Sequence, residues 1–180
     1  MKTNKTIVCL GSLALPVVSV FFFGTLCALA KGPQELEVYE RVVGNWTCAG
    51  HTMPSGDNPG HPFSATIKIG RELEGSVYVD RYDEVKSAEH QQPFSSISLW
   101  TYDPESRRYV QNGVDSFGNR FERTSTGWHG SEWVWEGKGL RIPVTSLSEE
   151  YGKVREGKVR VELEKDGQWL TLSESTCKKR

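Results

Sequence analysis

From Asn45 to the end, the chain alternates apolar and polar residues with a period of two. Clusters of Gly, Pro, Asp and Asn interrupt it roughly every ten residues. That period sends one face of each segment to a core and the other to water, as in an antiparallel strand with one wet side. Phe63–Ile69, Ser76–Tyr82 and Lys158–Glu164 show it most cleanly. In the last of these Val159, Val161 and Leu163 are read as core, with Arg160, Glu162 and Glu164 facing water. Ser95–Tyr102 and Arg108–Asp115 flank Asp103-Pro104-Glu105-Ser106, a type I turn sequence with Pro at its second position. Further strands are expected at Asn45–Met53, Arg120–Thr124, Trp133–Glu136, Leu140–Leu147 and Trp169–Thr176, and Gly152–Gly157 reads as loop. Pro54–Pro62 and Val85–Pro93 also read as loops. About nine or ten antiparallel strands at this spacing make a barrel or a sandwich.

Before the first strand, Gln34–Val43 is expected to form one short helix. Pro33 suits its start, and Leu36, Tyr39 and Val43 share a face up to Gly44. No other segment has a helical period.

Residues 1–30 are of another kind. Lys2 and Lys5 precede an uncharged run from Ile7 to Ala30, and Ala28-Leu29-Ala30 has the form of a cleavage site before Lys31. This is a signal peptide in pattern. The run is also long enough to cross a bilayer, so a retained anchor is the alternative. Both readings put the domain, residues 31–180, outside the cytoplasm, as a periplasmic or extracellular protein.

Export matters for the cysteines. Cys9 and Cys27 lie in the leader, which leaves Cys48 and Cys177 as the only thiols of the domain, in a compartment where disulfides persist. A bond between them joins the first and last strands, as a closed up-and-down barrel requires. A Greek-key sandwich permits the same bond without needing it. Parity adds a condition. Under strict alternation Cys177 shares a face with Trp169, Thr171 and Ser173 rather than with Leu170 and Leu172, so a bulge or a frayed strand end is required.

Several further motifs are also present here. They are Val43-Gly44-Asn45-Trp46-Thr47-Cys48-Ala49-Gly50, Trp100-Thr101-Tyr102-Asp103-Pro104, Gly113-Val114-Asp115, Gly127-Trp128 and Glu174-Ser175-Thr176-Cys177-Lys178-Lys179. In this order, from Leu36 to Arg180, the set resembles a group of exported bacterial proteins of unknown function, the DUF1579-type family. Its Gly-x-Trp element is shared with calycins and nitrobindin-like barrels. The resemblance implies an all-β fold, a closed antiparallel barrel of about ten strands with a short helix capping one end. It implies no established activity. Nitrobindin-like proteins hold haem through a histidine near the C-terminal end of the barrel. Here His51, His61, His90 and His129 are the only histidines, so that ligand has no counterpart, and no haem or other cofactor is expected.

The net charge of −1 is too balanced for a nucleic-acid partner, and Lys178-Lys179-Arg180 reads as a solvated tail. His51, Asp57 and His61 are read as solvated loop residues rather than zinc ligands, and Glu89-His90 as part of a polar loop. No G-x-S-x-G sequence and no nucleophile with a partnered base occur, and an oxidised Cys48 is no nucleophile. No catalytic residue is therefore nominated. The aromatic residues are the better clue. Trp46, Tyr78, Trp100 and Trp133 are the candidates to line a cavity for a small apolar or aromatic ligand. Tyr78-x-Asp80-x-Tyr82 places a carboxylate between two rings, and the flanking Val77 and Val79 assign that face to solvent. The alternative function is that of a membrane-tethered accessory subunit, with membrane contact only if the N-terminal helix is retained.

Overall fold

The computed structural model describes residues 33–55, 59–88 and 90–180. The leader, Asp57 and Glu89 lie outside the described residues. The described residues open with a helix, Gln34–Arg41, and continue in strands: β1 (Gly44–Thr52), β2 (Pro62–Glu72), β3 (Val77–Glu84), β4 (Ser95–Asp103), β5 (Arg108–Asp115), β6 (Arg120–Ser125), β7 (Trp128–His129), β8 (Glu132–Gly137), β9 (Leu140–Glu150), β10 (Lys153–Lys165) and β11 (Gln168–Lys179). All pairings are antiparallel. Each strand from β1 to β6 and from β7 to β11 pairs with its neighbour in sequence. β1 pairs with β11 and β6 with β8, which closes the sheet into an up-and-down barrel.

The two closing seams differ in strength. β1 and β11 are paired over seven positions, with Cys48 directly opposite Cys177. These two form a disulfide, with Cα atoms 4.0 Å apart. β6 and β8 share a single paired position, Thr124 with Glu136. There Gly137 lets the strands approach: a Cβ on it would lie 2.3 Å from the Glu122 carbonyl oxygen.

The parity of Cys177 is resolved by a bulge. β10 and β11 pair Val161 with Ser173 but Glu162 with Thr171, so Leu172 is the extra residue. Its carbonyl accepts the Met53 N–H at 2.7 Å. The inserted residue lets Ser173, Ser175 and Cys177 all line the interior.

The helix closes one end of the barrel. It is a 3-10 helix, with acidic Glu35 and Glu37 in its first turn and Arg41 in its last. Leu36 and Tyr39 are each 1% exposed. Tyr39 is the hub of an aromatic cluster, with ring centroids 5.1 Å from Trp100, 5.3 Å from Tyr78 and 5.4 Å from Trp133. Around the rim, the Tyr78 hydroxyl donates to Glu40 at 2.6 Å, the Trp46 indole N–H to the Val42 carbonyl at 2.9 Å, and Arg41 pairs with Glu149. Arg41 also lies over the Trp128 ring.

Several sequence expectations need correction. Gly152–Gly157 is not loop: from Lys153 it is strand, with register shifts beside Val154 and Glu156 that absorb its irregular pattern. Glu162 does not face water. It is 4% exposed and paired with Arg141, its cross-strand neighbour, whose guanidinium stacks on Trp169. Leu163 is 39% exposed because it lies beyond the filled interior, near the hairpin end. The basic C-terminus is not a free tail. Lys178 pairs with Glu156, Lys179 lies over Trp46, and the Arg180 N–H donates to the Asn45 carbonyl.

Candidate functional site

The aromatic cluster does not fill the barrel. A cavity of about 490 Å³ runs from Tyr39 and Val42 at the capped end to Glu84, Phe94 and exposed Asn119 at the other. Its wall is mostly apolar, with Phe63, Ile67, Ile69, Phe121, Ile142 and Val144 among the contributors. These side chains alternate inward along strands whose partners twist around the axis, so residues distant in sequence meet across it.

Of the four aromatic candidates, Trp46, Trp100 and Trp133 line this cavity. Tyr78 does not. It is 0% exposed beneath the helix, where its hydroxyl is committed to Glu40. Burial, the Glu40 hydrogen bond and the Glu40 charge all raise its pKa. Tyr39, Tyr82, Trp128 and Trp135 also reach the cavity wall.

Asp80 also lines the cavity, contrary to the solvent-facing assignment drawn from its valine neighbours. It is 9% exposed. On β3 the inward residues are Tyr78, Asp80 and Tyr82, opposite Trp100, Ser98 and Ser96 of β4. Val79 takes the outer face against Leu99. The interior is built from large rings, and those rings, not the smaller valines, decide which side of β3 turns in.

A polar relay crosses the wall at this level. Arg123 Nη1 donates to Gln111 Oε1 at 3.2 Å, and Gln111 Nε2 donates to Ser98 Oγ at 3.0 Å. Trp100 Nε1 donates to the same hydroxyl at 3.0 Å, and Ser98 Oγ donates to Asp80 Oδ2 at 3.3 Å. Each direction is forced. Guanidinium and indole N–H groups only donate, so Gln111 must turn its oxygen to Arg123 and its amide nitrogen to Ser98. Both acceptor positions of Ser98 are then filled, and its single proton goes to Asp80. The relay thus ends on Oδ2, and Asp80 Oδ1 has no partner among the described residues. Burial raises the Asp80 pKa to about 7, opposed by the Ser98 hydrogen bond and the Arg123 charge. Burial likewise lowers Arg123 to about 10, opposed by the Asp80 and Asp115 charges. Arg123 has no carboxylate within 4.0 Å among the described residues, and it stacks on the Phe121 ring at 4.1 Å.

Two other buried atoms on the wall lack partners among the described residues, Tyr39 Oη and Trp133 Nε1. The other carboxylates near the far end are satisfied. Glu84 accepts from Tyr82 and the Phe94 N–H and contacts His90 Nε2 at 2.7 Å, and Asp115 accepts from Phe117 and Asn119.

The histidines near the first loop are more ordered than the sequence reading had them. His61 bonds Thr52 and stacks on His90 with centroids 4.4 Å apart. No group of three His, Cys, Asp or Glu residues that could hold a metal occurs among the described residues. No helix among them is long and apolar enough to cross a membrane.

The sequence model of a family described as "Protein of unknown function (DUF1579)" matches residues 33–140, more than half of the chain. The chain belongs to the DUF1579 family. Among solved structures, this DUF1579 protein is similar to Rv2717c from M. tuberculosis, with a TM-score of 0.61 and 9% identity over 83% of this chain and 99% of that one. At that identity the likeness concerns the barrel fold alone. A Nostoc punctiforme protein of unknown function from the DUF3598 family aligns with a TM-score of 0.38 and 14% identity, over 78% of this chain and 48% of the other, which is too distant to carry an argument. No curated protein matches.

Proposed function

We propose that this barrel is an exported binding protein that holds a small apolar or aromatic molecule in its interior. One observation carries the reading: a cavity of about 490 Å³, lined by Trp46, Trp100 and Trp133 together with aliphatic residues from β2, β9 and β10. The volume is in the range of small-molecule sites, and such sites are mainly apolar with a few placed polar groups. The capping helix closes one end and leaves approach from the other. The Cys48–Cys177 disulfide supports an oxidising compartment. The leader supports export in the same direction.

Native mass spectrometry of protein recovered from its own compartment tests the reading. A bound mass that leaves on denaturation is the expected result. In parallel, titration with 2-methoxynaphthalene should give saturable binding by calorimetry. A Trp100→Ala, Trp133→Ala double variant that remains folded should bind at least about tenfold more weakly. Absence of both a native mass and any saturable binding defeats the reading.

A further inference from the structure

The cavity wall is mostly apolar, and at the level of the relay one carboxylate oxygen is left over. Asp80 is nine-tenths buried in the wall, and the direction of every hydrogen bond reaching it is fixed from Arg123 through Gln111 and Ser98. The relay satisfies Oδ2 only, and Oδ1 stays unmatched. A buried carboxylate oxygen without a donor is costly, so such groups are found paired. Nothing on β2 can supply a donor: opposite Asp80 stands Ile69, and Ile67 follows it on the wall. On β4 the facing hydroxyl of Ser98 is already committed. With the neighbouring positions on β2 and β4 supplying no donor, Oδ1 is open to a donor brought into the cavity.

Resting on the binding reading above, we propose that the ligand is an apolar or aromatic molecule bearing a hydrogen-bond-donating head group, a hydroxyl or an amine, that Asp80 receives at Oδ1. The two head groups share one chemistry toward a carboxylate. They differ in charge, and the excess of acids over bases on the wall (Asp80, Glu84 and Asp115 against Arg123) favours the amine.

The test uses three matched probes with the full folded domain at pH 8: 2-naphthol, 2-methoxynaphthalene and 2-naphthylmethylamine. 2-Naphthol keeps the donor, its methyl ether loses it, and the amine carries it with a charge. Calorimetry should show 2-naphthol and the amine binding about tenfold or more tighter than the ether. An amine stronger than 2-naphthol identifies a cationic head group, and the reverse a neutral one. Both outcomes uphold the donor.

The relay makes the variants discriminating. In Asp80→Asn, Ser98 still has only a proton to give, so the introduced amide must offer it oxygen and turn its NH₂ to the former Oδ1 position. The ether should then gain, closing the gap to 2-naphthol, and the amine should lose most. Asp80→Leu should abolish the preference of 2-naphthol and the amine over the ether. Lowering the pH to 5.5 does the same without a variant, because a protonated Asp80 carries its proton on Oδ1 and donates. The charged and titratable groups around it are Arg123 on β6, Asp115 on β5, and Tyr82 and Glu84 on β3, with Glu84 held by His90. The wild-type preference should therefore fall on acidification, and should do so even if both variants fail to fold.

If all three probes bind equally at pH 8, or if Asp80→Asn leaves their order unchanged, the head-group assignment is wrong while the cavity reading stands. If no probe binds wild type, the head-group assignment falls, and the cavity reading falls with it where native mass spectrometry also finds no bound mass.

Discussion

Asp80 is where single-residue chemistry is most exposed to test. Its carboxyl is easier to keep protonated in the fold than in the unfolded chain, with the native pKa raised by burial to about 7. The native state therefore holds a proton that the unfolded state releases at lower pH. The stability this confers is full below the ordinary carboxylate range of about 3.9 and is lost as pH rises through about 7. Urea unfolding of the wild type should show stability falling between those values, and Asp80→Asn should flatten that fall and be more stable than wild type at pH 8 by about 1–3 kcal/mol. A wild type that instead gains stability toward pH 8 at the same rate as the variant would show that Asp80 does not titrate in this window. Tyr39 makes a second case. Its ring anchors the aromatic cluster, but its hydroxyl is buried without a partner among the described residues. Tyr39→Phe keeps the packing and removes the unmatched group, so thermal unfolding should show it neutral to about 1 kcal/mol more stable. Tyr39→Ala should lose about 3–5 kcal/mol.

Among elements, the β6–β8 seam is the weakest join in the barrel, because one paired position replaces the seven of β1–β11. Gly137 permits it. A methyl there meets the Glu122 carbonyl, which is backbone and can yield only by separating the strands. Gly137→Ala should cost about 1–3 kcal/mol. Hydrogen exchange should quicken at the β6 amides and stay unchanged in β1 and β11. Uniform loss of protection would mean that the seams are not independent. The helix shows how far local pattern carries. Leu36 and Tyr39 on one face were legible as a buried side, and Gly44 as its end. That the element is a 3-10 turn wedged among five aromatic residues was not, because those partners come from β3, β4, β5 and β8.

At the scale of the molecule the disulfide joins residues 129 positions apart and so ties off nearly the whole domain. The chain-entropy relation gives about 5 kcal/mol for a loop of that size. Cys177→Ser should lower unfolding stability by about 2–5 kcal/mol. Denaturant titration with and without reductant should show the wild type, but not the variant, sensitive to reduction. Equal sensitivity would mean that the bond is absent from the native protein.

Alternation with a period of two, turn clusters and the Cys48/Cys177 pair determined an antiparallel all-β domain and left barrel and sandwich both open, because strand pleat, turn chemistry and covalent reach are local or pairwise constraints. The family resemblance implied the closed barrel, and the β1–β11 and β6–β8 pairings decided it. Alternation could not determine which face of β3 turns in, since Tyr78-x-Asp80-x-Tyr82 and Val77-x-Val79 are both acceptable inner faces taken alone. Tertiary structure decided it: the interior needed rings to meet Tyr39, Trp100 and Trp133, and Asp80 went in with them. The Arg123–Gln111–Ser98–Asp80 relay draws on four strands, so no window of the sequence contains it. The bulge at Leu172 is of the same kind. Parity demanded an irregularity somewhere before Cys177, and only the register between β10 and β11 located it.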